Sequence, residues 1–174
     1  KVKVRTKIVA DGLSDNKFDV NNTGTHVDAV KFNKLAEDPN TLLVDMRNHY
    51  ESEIGHFKGA ITPDVDTFRE SLEIIEKKLN NFKDTKKLLM YCTGGIRCEK
   101  ASAYMIQQGF SQVYQLSGGI LQYFEDTDGE APGWNGSCFV FDDRVAVNTQ
   151  REAGDFTQCY ACRQPLDIKQ TRDM

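Results

Sequence analysis

A cysteine followed by a glycine-containing loop is the stretch of this sequence best suited to chemistry. The cysteine is Cys92, and the loop after it consists of Thr93, Gly94, Gly95, Ile96 and Arg97. Two glycines allow such a loop to curl so that its backbone N–H groups converge on the sulfur. A following helix N-terminus adds partial positive charge, and Arg97 adds a full one. The arrangement favours a thiolate, since comparable cysteines have pKa values lowered from about 8.5 to roughly 3.5–7.5.

We therefore interpret Cys92 as a candidate nucleophile. Cysteine is also among the most often buried residue types, so a core thiol at the end of a strand is the alternative interpretation. The loop favours the nucleophile, because a packing position needs neither a backbone cradle nor the arginine that follows at position 97.

The elements around this loop alternate between strand and helix. Lys87–Tyr91 is a short apolar run typical of a strand buried on both faces of a sheet, and a helical pattern begins at Cys98. The same patterns predict strands at 42–44 and 113–116, and helices at 27–37, 68–79 and 120–124. This alternation predicts an α/β fold, a doubly wound parallel sheet, with Cys92 and Asp45 at the carboxyl ends of strands.

The rest of the chain is predicted to flank this sheet domain. Residues 1–24 comprise an alternating strand pattern at Lys1–Val9 and a linker, residues 25–126 the domain, and residues 127–174 a C-terminal extension. The extension contains a hairpin around Asp142-Asp143 and then a Cys-x-x-Cys pair. Because the first residue is lysine, we expect the chain to be part of a longer protein.

Composition limits the classes of function. The chain has 174 residues and a net charge of −4, so it lacks the overall basic excess of many nucleic-acid-binding proteins. No apolar run is long enough to span a membrane, and no signal peptide is visible. Five cysteines, an odd number with uneven spacing, favour reduced thiols over a disulfide framework. We therefore expect a cytoplasmic protein with no membrane partner.

Four motifs together resemble a rhodanese domain over roughly residues 26–124. They are Asp45-Met46-Arg47, Gly55–Ala60, Cys92–Arg97 and Gly118-Gly119. The resemblance implies that Cys92 carries a sulfane sulfur as a persulfide and that the following loop cradles it. It also implies that Asp45 and Arg47 belong to a mainly structural motif, in keeping with the usual role of a buried carboxylate–guanidinium pair.

Two longer runs are similar to the bacterial tRNA uridine hydroxylases, which contain a central rhodanese domain. One run is Cys92–Ser102, and the other is Trp-x-Gly-x-Cys-Phe-Val-Phe-Asp-x-Arg-Val over residues 134–145. That family makes 5-hydroxyuridine at the wobble position in an oxygen-dependent reaction. The resemblance therefore implies tRNA as a partner and molecular oxygen as a co-substrate, and it identifies no protein partner. The residues alone indicate only an activated thiol in an α/β domain.

Members of that family typically continue to a second Cys-x-x-Cys, which this sequence lacks. By the resemblance, Cys159 and Cys162 are half of a four-cysteine structural zinc site of the intact protein. For this chain itself we expect no cofactor, no bound metal and a poorly ordered end beyond about Asp155, because half a site does not offset the entropy of ordering it. A lone Cys-x-x-Cys is also compatible with redox chemistry.

Three other functions stay open at this point. A sulfurtransferase would move sulfane sulfur through a Cys92 persulfide, and the loop suits that reaction equally well. Cysteine-dependent phosphatases use a Cys-x5-Arg loop, whereas four residues separate Cys92 from Arg97. A non-enzymatic interaction module is disfavoured because both of these residues are present.

Cys98 is a candidate resolving thiol, six residues after Cys92. It could form a disulfide with a Cys92 persulfide or sulfenate. The alternative is simple packing in the first turn of a helix, with the loop holding the two sulfurs apart. We predict that Cys92 is the only essential thiol of the domain.

Overall fold

The computed structural model describes residues 19–171, so the predicted strand at Lys1–Val9 lies outside the described residues. The elements in chain order are β1 (Thr25–Val27), α1 (Ala29–Glu37), β2 (Thr41–Asp45), α2 (His49–Glu53), β3 (Gly55–Phe57), α3 (Phe68–Leu79), a 3-10 turn (Asn80–Phe82), β4 (Lys87–Tyr91), α4 (Ile96–Gln107), β5 (Val113–Leu116), α5 (Gly119–Asp126), β6 (Trp134–Gly136), β7 (Cys138–Phe139), β8 (Ala146–Val147), β9 (Phe156–Gln158), β10 (Pro165–Asp167) and α6 (Ile168–Thr171).

The central sheet has four parallel strands in the order β1-β5-β4-β2. Strand β4 lies in the interior of the sheet and pairs with β2 and β5 in parallel, which confirms its prediction as a buried parallel strand. The pairing aligns Asp45 with Tyr91 at the ends of β2 and β4. Cys92 therefore follows its strand at the same edge of the sheet as Asp45.

Helices cover both faces of this sheet, which confirms the predicted α/β fold. Leu89 and Tyr91 of β4 pack in one apolar cluster with residues of α1 and α5. Leu88 and Met90 point to the other face and pack with residues of α3 and α4. The longest helices have 12 residues, and none in the described part of the chain has the length and apolar character to cross a membrane.

Among the differences from the sequence predictions, two helices begin at other residues and one helix was not predicted. The first helix begins at Ala29 rather than Val27, because the Asp28 side chain accepts the Lys31 N–H and Val27 belongs to β1. The helix predicted from Cys98 begins at Ile96, because Gly95 has a φ of +87° and forms its N-cap. The polar stretch at residues 48–53, for which no element was predicted, contains α2.

The C-terminal extension packs on the sheet domain. Strand β6 pairs antiparallel with β3, and β7 pairs antiparallel with β8, which confirms the predicted hairpin with shorter strands. Cys138 and Val147 of this hairpin are buried in the same cluster as Tyr91 of β4. The extension is thus in direct contact with the elements that carry Cys92.

The expectation of a poorly ordered end beyond Asp155 is wrong for residues 156–171, the part of that end that the structure describes. Strands β9 and β10 form an antiparallel hairpin in this region. The turn between them is closed by backbone hydrogen bonds, Cys159 N–H to Gln164 O at 2.9 Å and Arg163 N–H to Cys159 O at 3.0 Å. These hydrogen bonds pair backbone groups within the segment itself.

Candidate active site at the Cys92 loop

Cys92 lies at the carboxyl end of β4 and is only 1% exposed. The Gly95 N–H donates a hydrogen bond to its sulfur at 3.2 Å. The backbone N–H groups of Arg97 and Cys98, in the first turn of α4, donate to the same sulfur. The loop and the helix N-terminus therefore surround the sulfur with donors that stabilise negative charge.

These contacts lower the pKa of Cys92 to about 6. The largest cause is a hydrogen bond from the Cys98 thiol, and the charge of Arg97 and the backbone N–H groups act in the same direction. Burial opposes them, because it disfavours the charged form. The thiolate is consequently the main form at neutral pH, and it is the nucleophilic form of cysteine.

The loop brings Cys98 to Cys92 rather than holding the two apart. Cys98 is 1% exposed, and burial together with the neighbouring Cys92 raises its pKa well above the ordinary value. The Cys98 thiol therefore stays protonated, and its S–H group donates a hydrogen bond to the Cys92 thiolate. The contact places the candidate resolving thiol within reach of Cys92, and it also gives Cys98 a role in setting the pKa of Cys92.

Arg97 is fixed by Glu51, a residue that the sequence analysis did not single out. The guanidinium donates to the two carboxylate oxygens of Glu51 at 2.6 and 2.8 Å, and to Thr93 Oγ1 at 3.3 Å. The Glu51 side chain is fully buried, and it also accepts the Asn48 backbone N–H at 3.0 Å. Such two-point pairing orients the guanidinium beside the Cys92 loop. The spacing Asn48-x-x-Glu51, typical of a helix N-terminus, was the available signal.

Asp45 and Arg47 form a second, completely buried ion pair next to this site. Arg47 donates from Nε and from a terminal nitrogen to Asp45 at 2.9 and 2.6 Å. It also donates to the carbonyls of Glu51 and Gly55 at 3.3 and 2.6 Å. Tyr91 donates to Asp45 at 2.9 Å. The pair ties β2, β4, α2 and β3 together, and so holds the helix that carries Glu51.

Gly118 and Gly119 allow α5 to approach the back of the active loop. Both have positive φ, +69° and +72°, and a Cβ on Gly119 would lie 2.5 Å from Thr93 O and 2.7 Å from Cys92 O. The N–H groups of Ile120 and Leu121 donate to the Cys92 and Thr93 carbonyls at 3.0 and 3.2 Å. A side chain at position 119 would therefore displace the loop that carries the thiolate.

A cleft of about 540 Å³ opens above Cys92. Its walls include Asn48, Asp66, Thr67 and Phe68 on one side, together with Ile96, Arg97 and Phe141. Phe141 lies in the turn between β7 and β8, outside the sheet domain, and is 73% exposed. The C-terminal extension thus supplies one wall of the cleft in which the thiolate lies.

Cys159 and Cys162 lie together in the β9–β10 turn. The Cys162 and Ala161 N–H groups and the Cys162 thiol lower the pKa of Cys159. Zinc requires four ligands in a structural site. Within residues 19–171, however, no group of three or more His, Cys, Asp or Glu side chains could hold a metal ion. The two thiols fit half of such a site.

Comparison with known proteins agrees with this geometry. The model of the rhodanese-like domain family matches residues 28–126. A protein of unknown function from Rhodopseudomonas palustris, described as a possible tyrosine phosphatase, is 19% identical over 72% of this chain and 97% of its own, with a TM-score of 0.53. A rhodanese-like domain from Anabaena sp. is 20% identical over 64% of this chain and 78% of its own, with a TM-score of 0.50.

These structural likenesses concern the fold, whereas the family match covers more than half of the chain and includes the whole Cys92 loop. The matched residues begin at the N-cap of α1 and end with α5. They leave out Phe141 and the hairpin that carries it. The chain therefore belongs to the rhodanese-like domain family.

Proposed function

We propose that this chain is part of an enzyme that hydroxylates the wobble uridine of tRNA at C5, with Cys92 as its essential thiol. One observation carries the proposal. The two runs that resemble the bacterial tRNA uridine hydroxylases, residues 92–102 and 134–145, contribute to the same cleft. Cys92 comes from the first run and Phe141 from the second. A simple sulfurtransferase has no need of the second run.

The residues of the cleft have distinct tasks in this proposal. Cys92, as a thiolate or a persulfide, presents a nucleophilic sulfur whose charge the N–H groups of Gly95, Arg97 and Cys98 stabilise. Arg97 adds a fixed positive charge, oriented by Glu51. Hydroxylation of uracil replaces its C5–H bond by C5–OH, and the resemblance implies molecular oxygen as the co-substrate.

Binding of tRNA would depend on local basic segments, because the chain as a whole carries a net charge of −4. Phosphate contacts are made by clustered lysine and arginine side chains. Residues 1–7 hold four basic side chains, and residues 151–172 hold four more, interspersed with three acidic ones. We propose that these segments contact the tRNA backbone while the Cys92 cleft receives the base.

A second candidate, a sulfurtransferase, is supported by the geometry of the loop itself. A persulfide on Cys92 would be anionic, and the same N–H donors would stabilise it. The loop has one residue fewer than the Cys-x5-Arg loop of phosphatases, and its arginine is already paired to Glu51. These features favour a sulfur atom over a tetrahedral phosphate.

Nucleoside analysis of tRNA tests the proposal. Cells lacking the gene should lose 5-hydroxyuridine derivatives, the wild-type gene should restore them, and a Cys92→Ser gene should not. Unchanged 5-hydroxyuridine in the deletion strain would refute the hydroxylase. Loss of thiolated nucleosides in its place would identify the sulfurtransferase.

A further inference from the structure

Phe141 is an exposed aromatic side chain in the wall of the Cys92 cleft. We propose that it is the stacking surface for the nucleobase that the enzyme modifies. The inference rests on the proposed function, which supplies a uracil as the ligand, and it adds the residue that binds the ring. Phe141 lies outside residues 28–126, so its position does not follow from the family match.

The ring of Phe141 is held in place even though most of it is exposed. It packs edge-on against Phe139, with centroids 5.0 Å apart and an interplanar angle of 86°. Phe139 is buried and packs in turn against Tyr50, the second residue of α2. Phe141 is therefore 73% exposed although its ring is packed on one side. An exposed aromatic that is fixed on one side suits the stacking of a planar ligand.

Arg97 connects this ring to the thiolate loop. Its guanidinium carbon lies over Phe141, 6.0 Å from the ring centroid, while Glu51 fixes its nitrogens. A cation within about 6 Å of the centroid is attracted to the face of the ring. The residue that favours the Cys92 thiolate thus also positions the proposed stacking surface relative to Cys92.

The shape and polarity of the cleft fit a base better than a phosphate. Ile96, 54% exposed, provides a second apolar surface at the cleft. Thr67, whose oxygen accepts the Glu70 N–H, can donate its O–H to the edge of a base, and Asp66 would repel a phosphate. A base extruded from a single-stranded loop presents such a planar, uncharged ring while its phosphates stay outside. We infer that the wobble base enters the cleft and stacks on Phe141.

Protection of Cys92 from alkylation measures this binding without requiring turnover. The probe is an anticodon-loop RNA oligonucleotide with uridine at the wobble position, titrated against iodoacetamide labelling of Cys92 and quantified by peptide mass spectrometry. Phe141→Ala and Phe141→Leu should raise the half-protecting RNA concentration roughly 5- to 150-fold, the range expected for loss of one base–aromatic stack. Phe141→Tyr keeps the ring and should stay close to wild type.

Two controls separate stacking from general damage. Phe82→Ala removes another partly exposed phenylalanine that does not line the cleft. In this variant the RNA should protect Cys92 from alkylation at the same concentration as in wild type. An oligonucleotide with non-planar dihydrouridine at the wobble position should protect wild type less well, but should bind Phe141→Ala no worse than the uridine oligonucleotide does. Comparing the two oligonucleotides on both wild type and Phe141→Ala isolates the interaction between the Phe141 ring and the base at the wobble position.

Each outcome decides the inference. No protection of wild type, or equal protection of wild type and Phe141→Ala, would overturn it. Protection that depends on Phe141, combined with unchanged 5-hydroxyuridine in cells lacking the gene, would retain the base site and reject the hydroxylase. Protection and 5-hydroxyuridine formation that are both weakened by Phe141→Ala would support the two proposals together.

Discussion

Two turns of this molecule carry cysteines, and they place their thiols in different surroundings. In the active loop, Cys92 is buried and its pKa is lowered to about 6 by Cys98, Arg97 and backbone N–H groups. In the β9–β10 turn, N–H groups of Cys162 and Ala161 also lower the pKa of Cys159. Cys162 is exposed there and Cys159 is partly exposed.

Both sulfurs accept hydrogen bonds from backbone N–H groups and from a neighbouring thiol, so the two turns differ in burial and in the charge of Arg97. In the active loop the sulfur is buried, and the charge of Arg97 acts on it in addition to the hydrogen-bond donors. In the outer turn, two sulfurs three positions apart face the surface. The first arrangement suits one nucleophilic sulfur, and the second suits a shared ligand. The predictions below test this division of roles.

The largest expected effect is on sulfur loading. A thiolate attacking thiosulfate breaks its S–S bond, forms a persulfide and releases sulfite. After incubation with thiosulfate, the peptide containing Cys92 should carry one added sulfur atom, because the loop stabilises the resulting anion. Cys92→Ser should abolish this loading completely, as measured by mass spectrometry under non-reducing conditions.

Cys159→Ser is the matched control, since it removes a thiol whose pKa is also lowered. Loading at Cys92 should be unchanged in that variant. Sulfur recovered on Cys98 or Cys159 in the wild-type chain, with none on Cys92, would contradict the assignment of the nucleophile.

A smaller effect is expected from Cys98. Removing its thiol in Cys98→Ala deletes the largest cause of the low Cys92 pKa, so that pKa should rise from about 6 by about one to two units. The thiolate forms as pH rises through the pKa, so alkylation of Cys92 should slow below about pH 7 and be unchanged near pH 9. The measurement is the pH dependence of the iodoacetamide rate at Cys92.

Cys98→Ser keeps a hydrogen-bond donor and should leave the pKa of Cys92 closer to its wild-type value. If the midpoint of the pH–rate curve for Cys92 is the same in Cys98→Ala as in wild type, the hydrogen bond does not lower the Cys92 pKa and Cys98 is only a packing residue. A disulfide between Cys92 and Cys98 after peroxide treatment would instead add the resolving role.

Sequence patterns predicted the strands and loop that surround Cys92 because these are local features. The apolar run Lys87–Tyr91 and the glycines after Cys92 determine strand, turn and helix start over adjacent residues. The alternation of elements predicted the parallel pairing of β4, whereas its position between β2 and β5 is known only from the structure. The strand β1 was missed because three residues are too few to show a period.

The partners of the active loop could not be predicted, because they are distant in sequence. Glu51 pairs with Arg97 across 46 positions, and only the folded chain brings them together. Phe141 likewise reaches the cleft through the pairing of β7 with β8. The Cys98 contact was uncertain for a local reason, since it depends on how tightly Gly95 curls the loop.

The smallest expected effect concerns the outer turn. Cys159 and Cys162 provide two thiol ligands, and no third His, Cys, Asp or Glu in the described part of the chain completes a metal site with them. Two ligands leave zinc half-coordinated by water. We therefore predict less than stoichiometric zinc in this chain by elemental analysis, and a shift of at most about 2 °C in the melting temperature when both cysteines are replaced by serine.

The backbone hydrogen bonds of the turn explain why this shift should be small. They close the β9–β10 hairpin without any contribution from the sulfurs as metal ligands. A longer protein with a second Cys-x-x-Cys should bind one zinc ion, and its melting temperature should then fall on chelation, because metal binding is coupled to folding. Stoichiometric zinc in this chain alone would contradict the prediction and show that other residues of the chain complete the site. No zinc in the longer protein would favour redox chemistry for Cys159 and Cys162. The active loop and the β9–β10 turn would then both carry reactive thiols, despite their different surroundings.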